Sequence, residues 1–219
     1  VKTSAGKKRR LLIAAGPTRE RIDPVRFLSN DSTGTFGYAI AREARRRGHR
    51  VVLVTGPVAL HPPAGVHVIQ IETARQMRRA ILDKMRRADC VIMAAAVSDW
   101  RPSVTARRKM KSGRRVSVAL VPNPDILAEV GRKKGSRFVV GFALETEDLE
   151  RNARKKLIEK NLDMIVANAT GPGKSAFGAG TTTVMIIDRC SFGKKIHRGS
   201  KKELSGMIID RIEERMAVL

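Results

Sequence analysis

The sequence predicts a Rossmann-like α/β fold, doubly wound around a mainly parallel sheet, with a long loop forming a flap beside the active-site edge. Three observations predict it. Short apolar runs alternate with longer amphipathic ones at least five times, and the crossover rules turn that alternation into a parallel sheet with helices on its faces. The strand runs are continuously apolar, as strands covered on both faces are. Two polar stretches, 17–34 and 100–120, break the rhythm. Connections longer than about 15 residues in a compact domain are usually lids or binding loops.

Leu11-Leu12-Ile13-Ala14-Ala15 is the first strand and stops at Gly16-Pro17. Phe36, Ala39, Ile40 and Ala44 fall at helical spacing over 35–47, and Gly48 closes that helix. Val51–Val54 is the second strand, ended by Gly56-Pro57, and Val66–Ile71 the third. Thr73 caps a helix whose apolar face carries Ala74, Met77, Ile81, Leu82 and Met85. Cys90–Ala96 is the fourth strand. At Asn123-Pro124-Asp125 a helix opens, with Asn read as the cap, Pro in the first turn and the acid on the helix dipole. Phe138–Phe142 is the fifth strand; Leu149, Ala153 and Leu157 mark a helix, and Met164–Ala167 the sixth strand. After Gly171-Pro172-Gly173 come a strand at 183–187 and a last helix lined by Leu204, Ile208 and Ile212.

With 219 residues and 42% apolar content the chain can bury a proper core, which reads as a basic tail or linker at 1–10 and one domain at 11–219. Two cysteines, Cys90 and Cys190, are too few for a disulfide framework, which points to a reducing, cytoplasmic setting. No apolar run approaches the roughly 20 residues of a membrane helix, and the charged residues 1–10 do not read as a signal peptide.

The net charge of +23 favours polyanionic partners. Its carriers are scattered, however, as in Arg45-Arg46-Arg47, Arg78-Arg79, Arg86-Arg87 and Lys155-Lys156. One Trp and one Tyr leave almost no aromatic surface for stacking bases. The charge therefore reads first as a solvated surface, then as phosphate steering, and last as nucleic-acid binding.

In an open parallel sheet, ligands bind at the carboxyl ends of the strands where the winding reverses. Four segments leave strands at that edge. In the first, 16–34, the small polar run Ser29-Asn30-Asp31-Ser32-Thr33-Gly34 stands directly before a helix, where backbone amides can cradle a phosphate. An ordinary capping loop is the alternative, and the run matches neither a Walker motif nor G-x-G-x-x-G. The second is Ala94-Ala95-Ala96-Val97-Ser98-Asp99. Its small side chains admit a ligand to the backbone, and Asp99 is either a ligand for Mg²⁺ or a ribose hydroxyl, or a turn former. The third, Lys109-Met110-Lys111-Ser112, puts lysine on a loop that can close over a triphosphate, or is a solvated charge run. The fourth joins Asn123-Pro124-Asp125-Ile126 to Phe142, which packs on a base or in the core. Lys156 and Lys160 share one face of the following helix, as phosphate ligands or wet surface. Nothing resembles a nucleophile elbow or C-x-x-C, and His49, His61, His67 and His197 stand singly, so metal-ligand and Ser/Cys–His catalysis are poor readings.

In order, AGPTRERIDPVRFLSNDSTGTFGYAIA (15–41), AAAVSDWRP (94–102), KMKS (109–112), NPDILAEV (123–130), VVGFALETE (139–147) and KKLIEKNLDMIVAN (155–168) resemble the phosphopantothenoylcysteine synthetase family. The stretch from Gly16 to Gly34 carries the most specific part of that resemblance. The resemblance implies a ligase of coenzyme A biosynthesis. The carboxylate of 4′-phosphopantothenate attacks the α-phosphate of CTP, giving an acyl-cytidylate and pyrophosphate, and the amine of cysteine then displaces CMP. By motif, Asn30 corresponds to the residue that holds the acyl-nucleotide and Lys109 to the flap lysine. Asp99, Asn123, Phe142, Lys156 and Lys160 match nucleotide-contacting positions, with Asp99 also a possible metal ligand; Ala95 and Ala96 match the pantothenate side, and Ser32, Gly34, Pro124, Asp125 and Ile126 match positions that bind substrate or nucleotide.

The resemblance also implies Mg²⁺ with CTP as co-substrate, no flavin in this chain, a homodimer with its site near the subunit interface, and a flavin-dependent decarboxylase either fused or separate. Ser112 departs from the family's usual flap lysine, and Ser98 stands where Ala is common. The choice between CTP and ATP stays open, because a few hydrogen bonds to one ring edge decide it. The competing readings are a non-enzymatic basic nucleotide- or RNA-binding module and an NAD(P)-type reductase, the latter disfavoured by the missing glycine fingerprint.

Overall fold

A computed structural model of the protein describes residues 7–111, 113, 115–169, 180–190 and 194–218. Ser112 and the Gly171-Pro172-Gly173 break lie outside the described residues. The chain enters with β1 (Arg10–Ala15), followed by a small ribbon of β2 (Arg19–Arg21) and β3 (Phe27–Ser29), and by α1 (Thr35–Arg46). Next come β4 (Arg50–Thr55), β5 (His67–Gln70) and α2 (Ala74–Lys84), which ends in a 3-10 turn at Met85–Arg87. Beyond β6 (Cys90–Met93), a second ribbon pairs β7 (Trp100–Pro102) with β8 (Leu120–Pro122). The remainder is α3 (Ile126–Arg132), β9 (Phe138–Glu145), α4 (Leu149–Glu159), β10 (Met164–Ala169), β11 (Thr182–Asp188), β12 (Lys194–Gly199) and α5 (Lys201–Met216).

The main sheet has eight strands in the order β12-β11-β10-β9-β6-β1-β4-β5. The six from β10 to β5 pair in parallel, while β11 pairs antiparallel with both neighbours. The chain adds β4 and β5 on one side of β1, then crosses to add β6, β9 and β10 on the other. The winding therefore reverses between β1 and β6, which is where a Rossmann-like sheet opens a crevice at its carboxyl edge.

Continuous apolar strands feed two cores, one on each face. Leu11, Ile13, Ile92 and Val140 pack with Ile40 of α1 and Leu204, Ile208 and Ile212 of α5. Leu12, Val91, Val139 and Ile165 pack with Met77 and Ile81 of α2, Val130 of α3 and Leu157 of α4. Each fully buried Leu or Ile contributes about 1.5–3 kcal/mol by leaving water, which is what holds the helices to the sheet. The small residue Gly37 sets how closely α1 can approach: a Cβ there would lie 2.5 Å from that of Ala15.

Arg47, at the end of α1, donates to the carbonyl of Gly206 (3.1 Å) and pairs with Asp210 (2.5 Å) and Glu213 (2.8 Å), residues from the middle and far end of α5. The two helices therefore run side by side in the same direction. β12 is antiparallel to β11, which is antiparallel to β10, so β12 runs with the parallel set and α5 starts at the carboxyl edge, as α1 does.

Three sequence expectations change. The fourth strand ends at Met93 instead of Ala96; beyond it the pairing with the β1 side thins to the Ala94 and Ala96 amides donating to the Ala14 and Gly16 carbonyls, both at 3.0 Å, and one isolated parallel bridge between Ala96 and Pro17. The cap of α3 is Asp125, not Asn123; its carboxylate accepts the Ala128 amide at 2.9 Å. β12 was not expected, since Lys194-Lys195-Ile196-His197-Arg198 is a largely exposed edge strand whose charges, useful against unwanted strand pairing, erase the apolar signal.

Candidate active site

Two cavities open side by side at the carboxyl edge between β1 and β6. The larger, about 610 Å³, lies between the 29–36 segment, Ala94–Val97, the end of β9, Asn168 and Lys201. The smaller, about 220 Å³, lies over Ser98, Asp99, Asn123–Leu127 and Lys160. Ala95, Val97 and Phe142 belong to both walls and form the seam. Phe142 is held there edge-on to Phe36, ring centres 5.3 Å apart.

The loops making this edge are stitched together by backbone and hydroxyl hydrogen bonds. The Thr18 amide donates to the Ala96 carbonyl (3.3 Å), the Thr18 hydroxyl oxygen accepts the Ser98 amide (3.0 Å), and Ser29 Oγ donates to the Thr18 carbonyl (2.8 Å). Gly34 turns the chain into α1 at φ +73°, and an added Cβ would meet Val58 at 2.9 Å and Gly16 Cα at 3.2 Å, so both conformation and space demand glycine. These bonds give Ala95 and Ala96 a rigid bed with no side chain to obstruct a ligand.

Asn30 is exposed on the larger cavity, its side-chain N–H donating to the Val97 carbonyl at 3.3 Å. Ser32, Gly34 and Ala96 also line that cavity. Asp99, Asn123, Pro124, Asp125, Ile126 and Lys160 line the smaller one. Asn123 donates through Nδ2 to the Ser98 carbonyl (2.9 Å) and through its amide to the Asp99 carbonyl (2.8 Å), which ties the second and fourth loop segments together. The Lys160 ammonium pairs with Asp125 at 2.9 Å. Partial burial works to raise the Asp125 carboxyl, but the Ala128 amide and Lys160 outweigh it and hold the group below its ordinary range.

Two of the expected residues lie elsewhere. Lys156 pairs with Glu145 at 2.5 Å and lines neither cavity. Lys109 is exposed beside Arg26, Met110 and Lys111 in a separate groove. Its segment is moored to the turn after β2, where the Met110 amide donates to Asp23 Oδ2 (3.1 Å) and Arg26 donates to the Met110 carbonyl (3.2 Å).

Sequence reasoning missed Asn168 and Lys201. Asn168 carried a usable signal, a polar residue directly behind an apolar strand run. Lys201 carried none, because its placement depends on β12.

The chemistry on offer is positional. Burial pushes the Cys90 thiol up, so it is no nucleophile. Among the described residues no three His, Cys, Asp or Glu side chains could hold a metal together. Asp99 by itself suits Mg²⁺, which is commonly held by one or two carboxylates plus substrate phosphates and water. Ser98 Oγ is sealed from solvent without a hydrogen-bond partner among the described residues. Ser98→Ala is therefore expected to stabilise the protein by about 1 kcal/mol, read as a raised urea midpoint. A lowered midpoint would mean the hydroxyl has a role in the folded state.

Fold and cleft define a Rossmann-like α/β domain with a bipartite cleft at its switch point. Comparison with known proteins narrows the class. Residues 6–216 match the family described as DNA/pantothenate metabolism flavoprotein C-terminal domain, and the chain belongs to that family. It is 44% identical over 204 residues to the coenzyme A biosynthesis bifunctional protein CoaBC of Bacillus subtilis (strain 168), covering 92% of this chain and 50% of that protein. It is also 44% identical over 207 residues to a cysteine/cysteine sulfinic acid decarboxylase from an unknown prokaryotic organism, covering 93% of this chain and 58% of that protein. The crystal structure of the C-terminal domain of a coenzyme A biosynthesis bifunctional protein CoaBC superposes with a TM-score of 0.83 at 37% identity, covering 99% of this chain and all of that one. The chain thus spans about half the length of the curated relatives it matches. No helix among the described residues is long and apolar enough to cross a membrane.

Proposed function

We propose that this domain is the ligase of a coenzyme A biosynthesis system. It activates the carboxylate of 4′-phosphopantothenate with CTP, in preference to ATP, and couples it to cysteine. The observation that carries the reading is the paired cavity, since two substrates that react with each other need adjoining chambers with a shared seam at Ala95, Val97 and Phe142. The nucleotide belongs to the chamber of Asp99, Asn123, Pro124, Asp125, Ile126 and Lys160, with Mg²⁺ arriving on its phosphates and Asp99 as protein ligand. The pantothenate arm belongs to the chamber of Asn30, Ser32, Gly34, Ala95 and Ala96.

A carboxylate oxygen attacks the α-phosphorus, the bond to the β-phosphate oxygen breaks, and pyrophosphate leaves. The cysteine amine then attacks the acyl carbon, CMP departs with the activating oxygen, and the amine releases its proton. Neither step needs a protein nucleophile. Alignment of the reacting atoms and neutralisation of developing charge supply the rate. Amide groups such as those of Asn30 and Asn123 suit this task because they orient polar ligands without titrating.

The same reading takes the protein to be a cytoplasmic homodimer, fused to or working beside a flavin-dependent decarboxylase, with residues 1–10 a tail or linker and 11–219 the domain. Exposed apolar side chains on the two ribbons, Phe27, Leu28, Trp100 and Leu120, support self-association.

The test supplies CTP or ATP with 4′-phosphopantothenate and Mg²⁺, with and without cysteine. Pyrophosphate is expected from CTP, with amide only when cysteine is present. Absence of pyrophosphate in every combination contradicts the reading and favours a binding module; steeply salt-dependent RNA binding would then identify its ligand class.

A further inference from the structure

Lys201 is the first residue of α5 and lines the larger cavity, yet the residue is only 8% exposed. Its ammonium has no ion pair or hydrogen bond to any described residue, and burial lowers its affinity for a proton. Two other half-buried cations are matched with carboxylates, Arg47 with Glu43, Asp210 and Glu213, and Arg211 with Asp188 and Glu214, while Arg137 donates to the carbonyls of Met85, Lys134 and Arg86. A lysine that is largely buried and has no partner among the described residues carries a charge that burial disfavours. It is retained at little loss only where an anion arrives to match it.

A second feature faces the same space. The 12-residue helix α1 begins at the cavity wall, its N-cap Gly34 has no side chain to cap it, and the amides of Thr35, Phe36 and Gly37 have no described acceptor. Three unsatisfied donors and the positive end of the helix dipole favour an oxyanion there. Because α1 and α5 start at the same sheet edge and run in the same direction, the lysine and the amides open on one chamber.

We infer that Lys201 and the amino end of α1 form a receptor for a substrate phosphate, with the lysine supplying charge and the amides direction. This rests on reading the cleft as the ligase site, and it adds a binding residue that the motifs of the sequence do not name. Two sources of phosphate fit, the polyphosphate of the nucleotide and the phosphomonoester of phosphopantothenate.

The test is calorimetric titration of wild type, Lys201→Met and Lys201→Arg with CTP, inorganic pyrophosphate, 4′-phosphopantothenate and dephosphorylated pantothenate. Lys201→Met is expected to weaken at least one phosphorylated probe by about 10- to 100-fold, the range of one hydrogen bond to a charged group, with Lys201→Arg recovering part of it. Loss confined to CTP and pyrophosphate assigns the nucleotide polyphosphate. Loss for 4′-phosphopantothenate but not for pantothenate assigns the phosphomonoester. In phosphate-free buffer Lys201→Met should unfold at or above the wild-type urea midpoint, since it replaces a largely buried charge that has no partner among the described residues.

Unchanged affinity for every phosphorylated probe overturns the inference, as does an equal loss for pantothenate and its phosphate. Should Lys201→Met fail to fold, Lys201→Gln is titrated against the same criteria. A wild type that binds these probes but releases no pyrophosphate overturns the ligase reading and leaves the receptor standing.

Discussion

Asn30→Ala is expected to lower amide formation by about 10²- to 10³-fold, the usual cost of removing one preorganised donor from a reacting centre. Asn30 is exposed on the larger cavity and spends one side-chain N–H on the Val97 carbonyl, so the remaining amide groups are available to a ligand and their direction is set. Alanine deletes the ligand contacts without opening a cavity in either core, and the urea midpoint should stay close to wild type. Rapid-quench experiments with radiolabelled CTP distinguish the forms the defect can take. The acyl-nucleotide either fails to form or forms and escapes, so that pyrophosphate release outruns amide formation. Wild-type rates in both steps would remove Asn30 from the mechanism.

Lys109→Gln is expected to cut amide formation by about 10²-fold, as losing a point charge from a developing oxyanion does. Pyrophosphate release should suffer less. Lys109 lies outside both chambers, on a segment moored by Asp23 and Arg26 through Met110. A role in the second step therefore requires that segment to swing toward the cleft or to serve the cleft of a partner subunit. Mixing Lys109→Gln with Asn30→Ala protein decides between them: activity regained in the mixture means the lysine acts across a dimer. Equal wild-type rates for both steps in Lys109→Gln would leave the lysine as surface charge.

Burial on both faces made the parallel strands readable, because Leu11–Ala15, Val51–Val54 and Met164–Ala167 are apolar at every position. The ribbons and β12 gave no such signal. The ribbon strands are only three residues long, β12 is rich in charge, and each is bonded on one side only, so neither period nor composition separates them from loops. Asn123-Pro124-Asp125 offered two side chains that cap helices equally well, and only the tertiary bond from Asn123 to Ser98 shows why Asp125 took that role. In the site, the segments 29–34, 94–99 and 123–126 converge because each follows a strand to the same edge. Lys156 and Lys160 share a helix face, yet Glu145 and Asp125 hold them at different places. Lys201 enters the cleft from a helix whose strand was invisible in the sequence.

In the proposed reaction a carboxylate oxygen becomes bonded to the α-phosphate of the nucleotide. Turnover of 4′-phosphopantothenate labelled with ¹⁸O in its carboxylate tests this directly. Because the attacking oxygen leaves with the nucleotide when cysteine displaces it, one ¹⁸O per turnover is expected in the phosphate of CMP and none in pyrophosphate. Label in inorganic phosphate, with the nucleoside diphosphate as co-product, would mean activation at the γ-phosphate and would contradict the account.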